Sequence, residues 1–114
     1  MAKLQSQKYR TYIDACNECF EACEQCAVKC LHEEDVKPLA KCVEICITCY
    51  HACAAASMIM SAESEYTKKL LGLVVEVCEA CAEECGKHAG HMEHCRQCAE
   101  ICRRCAEECR KVSK

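Results

Sequence analysis

The fold is decided by residues 95–109, which read C-R-Q-C-A-E-I-C-R-R-C-A-E-E-C. Cysteine recurs in this segment at spacings of three, four, three and four residues, which is the a/d spacing of a heptad. On a helix, residues three and four apart stack on one face, while the Arg, Gln and Glu residues between them point away from it. The segment therefore predicts an amphipathic helix with one face of thiols and one face of solvated charge.

The same spacing recurs in three earlier segments, 16–30, 42–53 and 78–85. Proline, glycine and serine residues separate them and mark helix ends. The predicted helices run from a cap at Ser6 to about His32, from Asp35 or Lys37–Pro38 to about Met60, from a cap at Ser61 or Ser64 towards His88, and from His91 or Met92 onwards. Short connections predict an all-α, antiparallel up-down-up-down four-helix bundle with a cysteine-lined core, one domain spanning residues 1–114.

The composition limits the classes of function that fit. The chain has 15 Lys+Arg against 18 Asp+Glu, so it offers no basic stripe for nucleic acid and no polybasic patch for anionic lipid. We also expect no membrane partner, because no run approaches the length of a membrane span. The first ten residues contain no apolar signal-peptide core, so we expect a cytoplasmic protein with reduced thiols.

The seventeen cysteines have three possible roles. As small hydrophobes they would fill less volume than leucine and would be prone to oxidation. As disulfides they could staple helices through C-x9-C pairs such as Cys16/Cys26 and Cys95/Cys105, but an odd number cannot pair completely. With three Gly and one Pro, the chain also lacks the loops of a small disulfide scaffold. Metal binding is therefore the favoured interpretation.

The charge of the core selects the metal. Thiolates bind Cu(I), Zn(II) and iron–sulfur clusters. Four thiolates around Zn(II) keep two negative charges, and about four such sites would be costly to bury. One Cu(I) per thiolate is neutral, and neighbouring pairs are ~5 Å apart along the helix axis. The predicted ligands are Cys16, Cys19, Cys23, Cys26, Cys30, Cys42, Cys46, Cys49, Cys53, Cys78, Cys81, Cys85, Cys95, Cys98, Cys102, Cys105 and Cys109, with His88, His91 and His94.

Three segments carry a family resemblance: C-N-E-C-F-E-A-C-E-Q-C-A-V-K-C at 16–30, C-E-A-C-A-E-E-C-G-K-H at 78–88, and H-C-R-Q-C-A-E-I-C-R-R-C-A-E-E-C at 94–109. The chain resembles the bacterial copper storage proteins, and most closely their cytosolic branch. The resemblance implies a four-helix bundle that binds many Cu(I) ions, protects against copper toxicity, holds copper for later use and assembles as a homotetramer. It implies no enzymatic activity. The start of the third helix departs from the family pattern, because Leu70, Leu71, Leu73, Val74 and Val75 stand where more thiols would be expected.

The two ends of the predicted bundle differ in chemistry. The apolar end combines Tyr9, Tyr12, Ile13, Met60, Leu71, Val74 and Val112, and the histidine end combines Cys30, His32, Leu39, His88, His91, His94 and Cys95. We expect copper to enter at the histidine end and the apolar end to act as a plug. His88 and His91 continue the helical phase of Cys85 and Cys95, whereas His94 lies one position off that face. We expect His32 and His51 to lie at the surface and Met58 and Met60 to serve in packing.

The second helix predicts self-association. Its positions away from the thiols are apolar: Val43, Ile45, Ile47, Tyr50, Ala54, Ala55, Met58 and Ile59. A strip of this kind is typical of a partner surface. We expect a capacity of roughly 15 to 20 ions per chain. A zinc or multi-metal buffer, a redox relay through C-x-x-C pairs and a copper-responsive regulator remain alternatives at this point, and the copper acceptor is unknown.

Overall fold

Four α-helices form the computed structural model, which describes residues 7–113. Helix α1 spans Arg10–Leu31, α2 spans Ala40–Ser61, α3 spans Thr67–Gly86 and α4 spans Glu93–Ser113. A single 3-10 turn, Lys37–Leu39, precedes α2. Each helix packs against its two neighbours in the ring α1–α2–α3–α4–α1, and the most extensive packing joins α1 to α2 and α3 to α4. The predicted cysteine-lined four-helix bundle is confirmed.

The helix boundaries follow the predicted punctuation with small shifts. The cap predicted at Ser6 lies outside the described residues. Pro38 lies in the 3-10 turn, where its missing N–H costs no helical hydrogen bond. Ser64 organises the turn before α3, because its backbone O accepts a hydrogen bond from Thr67 Oγ1 at 2.8 Å. Tyr66 is the N-cap residue of α3, and Ser61 is the last residue of α2, so the caps predicted for α3 at Ser61 and Ser64 were wrong.

The core divides into a long thiol section and a short apolar one. All seventeen cysteines are buried. Ile13, Met60, Leu71 and Val74 are also fully buried, and they lie where α1 and α3 begin and α2 ends. Tyr9, Tyr12 and Val112 pack against this group while remaining partly exposed. The predicted apolar end therefore forms a closed, packed layer.

Helix α2 differs from the expectation in two respects. The segment Lys37–Ser61 is long and apolar enough, by length and composition, to cross a membrane. The expectation that no run approaches the length of a membrane span was wrong. It did not take into account the hydropathy that alanine, methionine and cysteine residues give to this helix. Its four cysteines nevertheless lie in the bundle core between α1 and α3. Val43, which was expected on the outer strip, is buried, whereas Ile47 and Met58 are exposed.

Candidate metal centre

Helices α1 and α4 meet through paired thiols. The Sγ–Sγ distance is 3.7 Å between Cys16 and Cys109 and also 3.7 Å between Cys19 and Cys102. It is 3.8 Å between Cys30 and Cys95, near the histidine end. As the residue numbers of the paired cysteines increase along α1, those on α4 decrease, so the two helices run antiparallel. Each pair forms one layer, or rung, of the core.

Helices α2 and α3 form a second row of rungs. The Sγ–Sγ distances are 3.5 Å for Cys42 and Cys85, 3.8 Å for Cys46 and Cys81, and 3.7 Å for Cys49 and Cys78. The two rows also touch, since Cys19 Sγ lies 3.9 Å from both Cys49 Sγ and Cys78 Sγ. These are contacts between free thiols, so the seventeen cysteines form one continuous array without disulfides.

The array divides into overlapping groups with metal-binding geometry, in which all ligand atoms lie within 4.8 Å of one another. Five such groups follow the bundle axis: Cys26–Cys30–His94–Cys95, Cys26–Cys42–Cys46–Cys85, Cys23–Cys81–Cys98–Cys102, Cys19–Cys23–Cys49–Cys102 and Cys19–Cys53–Cys78–Cys105. Cys19, Cys23, Cys26 and Cys102 each belong to two groups. A sulfur shared in this way can bridge two ions, which a set of separate four-ligand sites does not require.

Burial and neighbouring thiols set the acidity of the core. Burial raises the pKa of Cys30 to about 11 and also raises the pKa of Cys95, whose sulfur is near that of Cys30. Hydrogen bonds from Cys102, and then from Cys23 and Cys46, lower the pKa of Cys81 to about 7. The thiols at the histidine end are therefore protonated at neutral pH, and a metal ion must displace their protons.

His94 is the histidine that reaches the thiols. Its Nε2 lies 3.4 Å from Cys30 Sγ, and it joins Cys26, Cys30 and Cys95 in the outermost group. Its one-position offset from the cysteine face does not prevent this contact, because an imidazole ring extends far enough to bridge the offset. The sequence placed His94 behind His88 and His91 as a ligand, and the structure brings His94 into contact with a core thiol. The ligand roles of the three histidines stay predictions.

His88 and His91 lie outside the helices whose phase was used to place them. Helix α3 ends at Gly86 and α4 begins at Glu93, so both histidines belong to the connecting turn. His88 Nε2 is buried and lies 3.5 Å from Glu84 Oε2, yet it makes no hydrogen bond to any described residue. His91 is exposed, and its ring meets that of His88 edge-on at 6.1 Å between centroids. The two rings therefore contact each other in the turn between α3 and α4, at the same end of the bundle as the outermost group.

Two further residues at the histidine end were not predicted. The Cys95 thiol points at Met92 Sδ, 3.9 Å away, so a thioether lies beside the outermost thiols. Its position three residues before Cys95 is the signal that could have revealed it. Glu84 is buried with its carboxylate 3.1 Å from Lys87 Nζ. No sequence signal indicated Glu84, because it lies one position away from the cysteine face.

The predicted roles of His32, His51 and Met60 agree with the structure, and the packing role predicted for Met58 does not. His51 and His32 are exposed, and the His51 ring lies with Nδ1 2.8 Å from the backbone O of Ile47. Met60 is fully buried among apolar residues, as expected for packing, whereas Met58 is 67% exposed. Met58 therefore has no packing role within the described chain.

Comparison with known proteins identifies the family that uses this array. The family model described as copper storage protein matches residues 5–114. This chain belongs to the copper storage protein family. The family is one of metal storage rather than catalysis, and a core in which all cysteines are free and mutually in contact is consistent with that role.

Individual family members resemble the chain over nearly its full length. The Cu(I)-bound copper storage protein BsCsp3 is 38% identical, with a TM-score of 0.89 over 95% of this chain and 100% of that one. A cytosolic copper storage protein from Streptomyces lividans, with five coppers, is 39% identical, with a TM-score of 0.86 over 90% of this chain and 88% of that one. The uncharacterized cysteine-rich protein YhjQ of Bacillus subtilis (strain 168) is 40% identical over 88 residues, which are 77% of this chain and 80% of that protein.

Proposed function

We propose that this chain stores many Cu(I) ions in one thiolate-bridged array along the axis of its bundle. The observation that carries the proposal is the sharing of Cys19, Cys23, Cys26 and Cys102 between neighbouring ligand groups. Shared sulfurs join the groups into two sets, one through Cys26 and one through Cys19, Cys23 and Cys102. The two sets are in contact, because Cys46 Sγ lies 3.8 Å from Cys81 Sγ, so the thiols form one continuous array. Such an array fits a cargo ion that accepts bridging thiolates and low coordination numbers, as Cu(I) does.

Zinc storage fits this geometry less well. Zinc prefers four ligands of its own, and each Zn(Cys)4 site retains two negative charges. Groups that share a cysteine cannot all be filled in this way, and the uncompensated charge would lie in a core whose cysteines are all buried. Equal numbers of Cu(I) ions and thiolates give a neutral core, which the surrounding helices can enclose without charged partners.

The histidine end supplies the entry ligands in this proposal. The group of Cys26, Cys30, His94 and Cys95 is the outermost ligand set, and His88 and His91 lie in the turn at the same end of the bundle. Imidazole is intermediate in softness between water and thiolate, so it can hold an arriving ion before thiolates take it. The opposite end is closed by the packed apolar layer, so copper fills the array from the histidine end towards that layer.

The outer face of α2 is the candidate surface for self-association. Met58 and Ile47 are exposed there, and the Phe20 and Tyr50 rings pack 6.0 Å apart where α1 meets α2. We propose that this face forms the contact of a homotetramer. We further propose that the chain is a single domain acting in the cytoplasm, where thiols stay reduced and where the Streptomyces relative is described as cytosolic.

An anaerobic titration of the reduced protein tests the function. Cu(I) is added against a strong chromogenic chelator, and Zn(II) is titrated in parallel against its own indicator. The proposal predicts saturation at roughly 15 to 20 Cu(I) per chain and displacement of any bound zinc by copper. Saturation near four equivalents, with zinc displacing copper, would show that the protein is a zinc buffer instead.

A further inference from the structure

The contact between α1 and α4, here called the seam, contains two clefts in the side of the bundle. The upper cleft lies nearer the histidine end, has a volume of about 60 Å³ and reaches the sulfur-bearing residues Cys26 and Cys98. The lower cleft has a volume of about 220 Å³ and reaches Cys105. Both clefts are partly walled by small side chains of α1, Ala22 in the upper one and Ala15 in the lower one.

Solvent exposure points to the same place independently. Cys26, Cys98 and Cys105 each keep 1% of their surface exposed, whereas the other fourteen cysteines keep 0%. The fully covered set includes Cys30 and Cys95, which belong to the outermost ligand group at the histidine end. The three cysteines that line the two clefts are therefore also the ones with residual exposure, so the thiol array approaches the surface along the seam.

The upper cleft also carries ligand and recognition groups. His94, whose Nε2 contacts Cys30 Sγ at 3.4 Å, forms part of its wall. Gln25, Gln97 and the cationic Lys29 complete its polar rim. A volume of about 60 Å³ is several times the roughly 10–15 Å³ that one water molecule needs, so it admits a thiol-bearing arm but not a loop of another protein. The lysine favours a ligand of negative charge.

We propose that the upper cleft is a second, lateral exchange site besides the histidine end, where a small anionic thiol delivers or removes Cu(I) at Cys26 and Cys98. The step is a ligand exchange in which copper remains Cu(I). Two thiolates of the carrier leave the ion, the two cysteine thiols bind it as thiolates, and the two cysteine protons pass to the departing thiolates to give two carrier thiols. His94 lies on the cleft wall and contacts the outermost thiols, which links this site to the end of the array. The proposal rests on the copper storage function proposed above.

Alkylation of the copper-free, reduced protein tests access through the seam. Native protein is treated briefly with iodoacetamide and quenched, and labelling at each cysteine is measured by mass spectrometry of its peptides. We expect Cys26, Cys98 and Cys105 to be labelled before Cys30 and Cys95. Labelling that starts at Cys30 and Cys95 and moves inward, or that proceeds at one common rate through global unfolding, would overturn the proposal.

A cleft-filling substitution, Ala22→Leu, tests the upper cleft alone. It should slow labelling of Cys26 and Cys98 by at least about tenfold, the effect of an added barrier of about 1.4 kcal/mol, and leave Cys105 unchanged. The matched control is Ala80→Leu, in a cleft where α2 meets α3 that no cysteine lines. Equal labelling rates in the two variants would overturn the proposal. If Ala22→Leu does not fold, the labelling order of the unaltered protein decides the question.

Exchange of bound copper gives the second measurement. Thioglycolate should remove Cu(I) from the loaded protein faster than uncharged 2-mercaptoethanol does, and Ala22→Leu should slow removal without lowering copper capacity. Equal removal rates for the two thiols, together with equal rates for the unaltered protein and Ala22→Leu, would overturn the exchange role. Alkylation uses no copper, so a labelling order that excludes the seam contradicts lateral access without contradicting copper storage. A titration that saturates near four equivalents contradicts copper storage itself.

Discussion

The apolar end should supply most of the stability of the copper-free bundle, and Leu71→Ala tests this. Leu71 is 1% exposed and belongs to the layer formed with Ile13, Met60 and Val74. Replacing a fully buried leucine by alanine removes its hydrophobic transfer energy and leaves a cavity, at a cost of about 2–5 kcal/mol. With about 4–8 °C per kcal/mol for a domain near this size, the midpoint of thermal unfolding should fall by roughly 8–40 °C.

The matched control lies two residues further along the same helix. Leu73 is 51% exposed, so Leu73→Ala changes surface rather than core and should shift stability by no more than about 0.5 kcal/mol. The assay is thermal unfolding of reduced, copper-free protein followed by far-ultraviolet circular dichroism. If the unaltered protein unfolds cooperatively and only Leu71→Ala lowers its midpoint strongly, the bundle folds before it binds copper. A coil spectrum for copper-free protein, or equal effects of the two substitutions, would refute the reasoning.

Three further predictions concern copper itself. Burial raises the pKa of Cys30 to about 11 and also raises the pKa of Cys95, so both thiols are protonated at neutral pH. Because a Cu(I) ion held by this pair displaces two protons, its affinity should rise about 100-fold per pH unit. Chelator competition at pH 6, 7 and 8 measures this affinity, and an affinity that does not change with pH would contradict the prediction. His94→Ala should lower capacity by about one ion, whereas His51→Ala, which alters an exposed side chain, should leave it unchanged; chelator titration of both variants decides. Val74→Cys places a thiol in a fully buried position, one turn before the first cysteine of α3. It should raise the copper capacity measured by titration by about one ion. An unchanged capacity would show that the thiol array cannot be extended into the apolar end.

The cysteine positions could be predicted because one physical rule governs them all. A spacing of three and four residues brings side chains to one helix face wherever the helix continues. It continues through 16–30, 42–53, 78–85 and 95–109, so each of these segments contributes its thiols to the core. The same spacing accounts for the burial of Leu71 and Val74, which precede Cys78 by seven and four residues.

The histidines show where that rule stops applying. His88 and His91 were placed by extending the phase of Cys85 and Cys95, but the chain leaves α3 at Gly86 and enters α4 only at Glu93. A turn has no helical phase, so its side-chain positions depend on tertiary contacts such as that of His88 with Glu84. His94 lies inside α4, one position away from the cysteine face, and its side chain is long enough to reach Cys30 Sγ all the same.

The seam could not be predicted from the sequence at all. Its clefts exist because α1 and α4 pack less extensively than α1 and α2 or α3 and α4 do. That difference arises from how four helices share one core, and no single segment encodes it. Ala15 and Ala22 look like ordinary helix-forming residues until a neighbouring helix leaves space beside them.

Native mass spectrometry of the fully loaded, reduced protein is a direct measure of copper storage in a thiolate core, because it counts bound ions and displaced protons together. A neutral array of Cu(I) and thiolate predicts a series that ends at about 17 ions or slightly more, each thiolate-bound ion adding the mass of copper less about one proton. A series that ends near four ions, or ions that add mass without displacing protons, would contradict copper storage in a thiolate core.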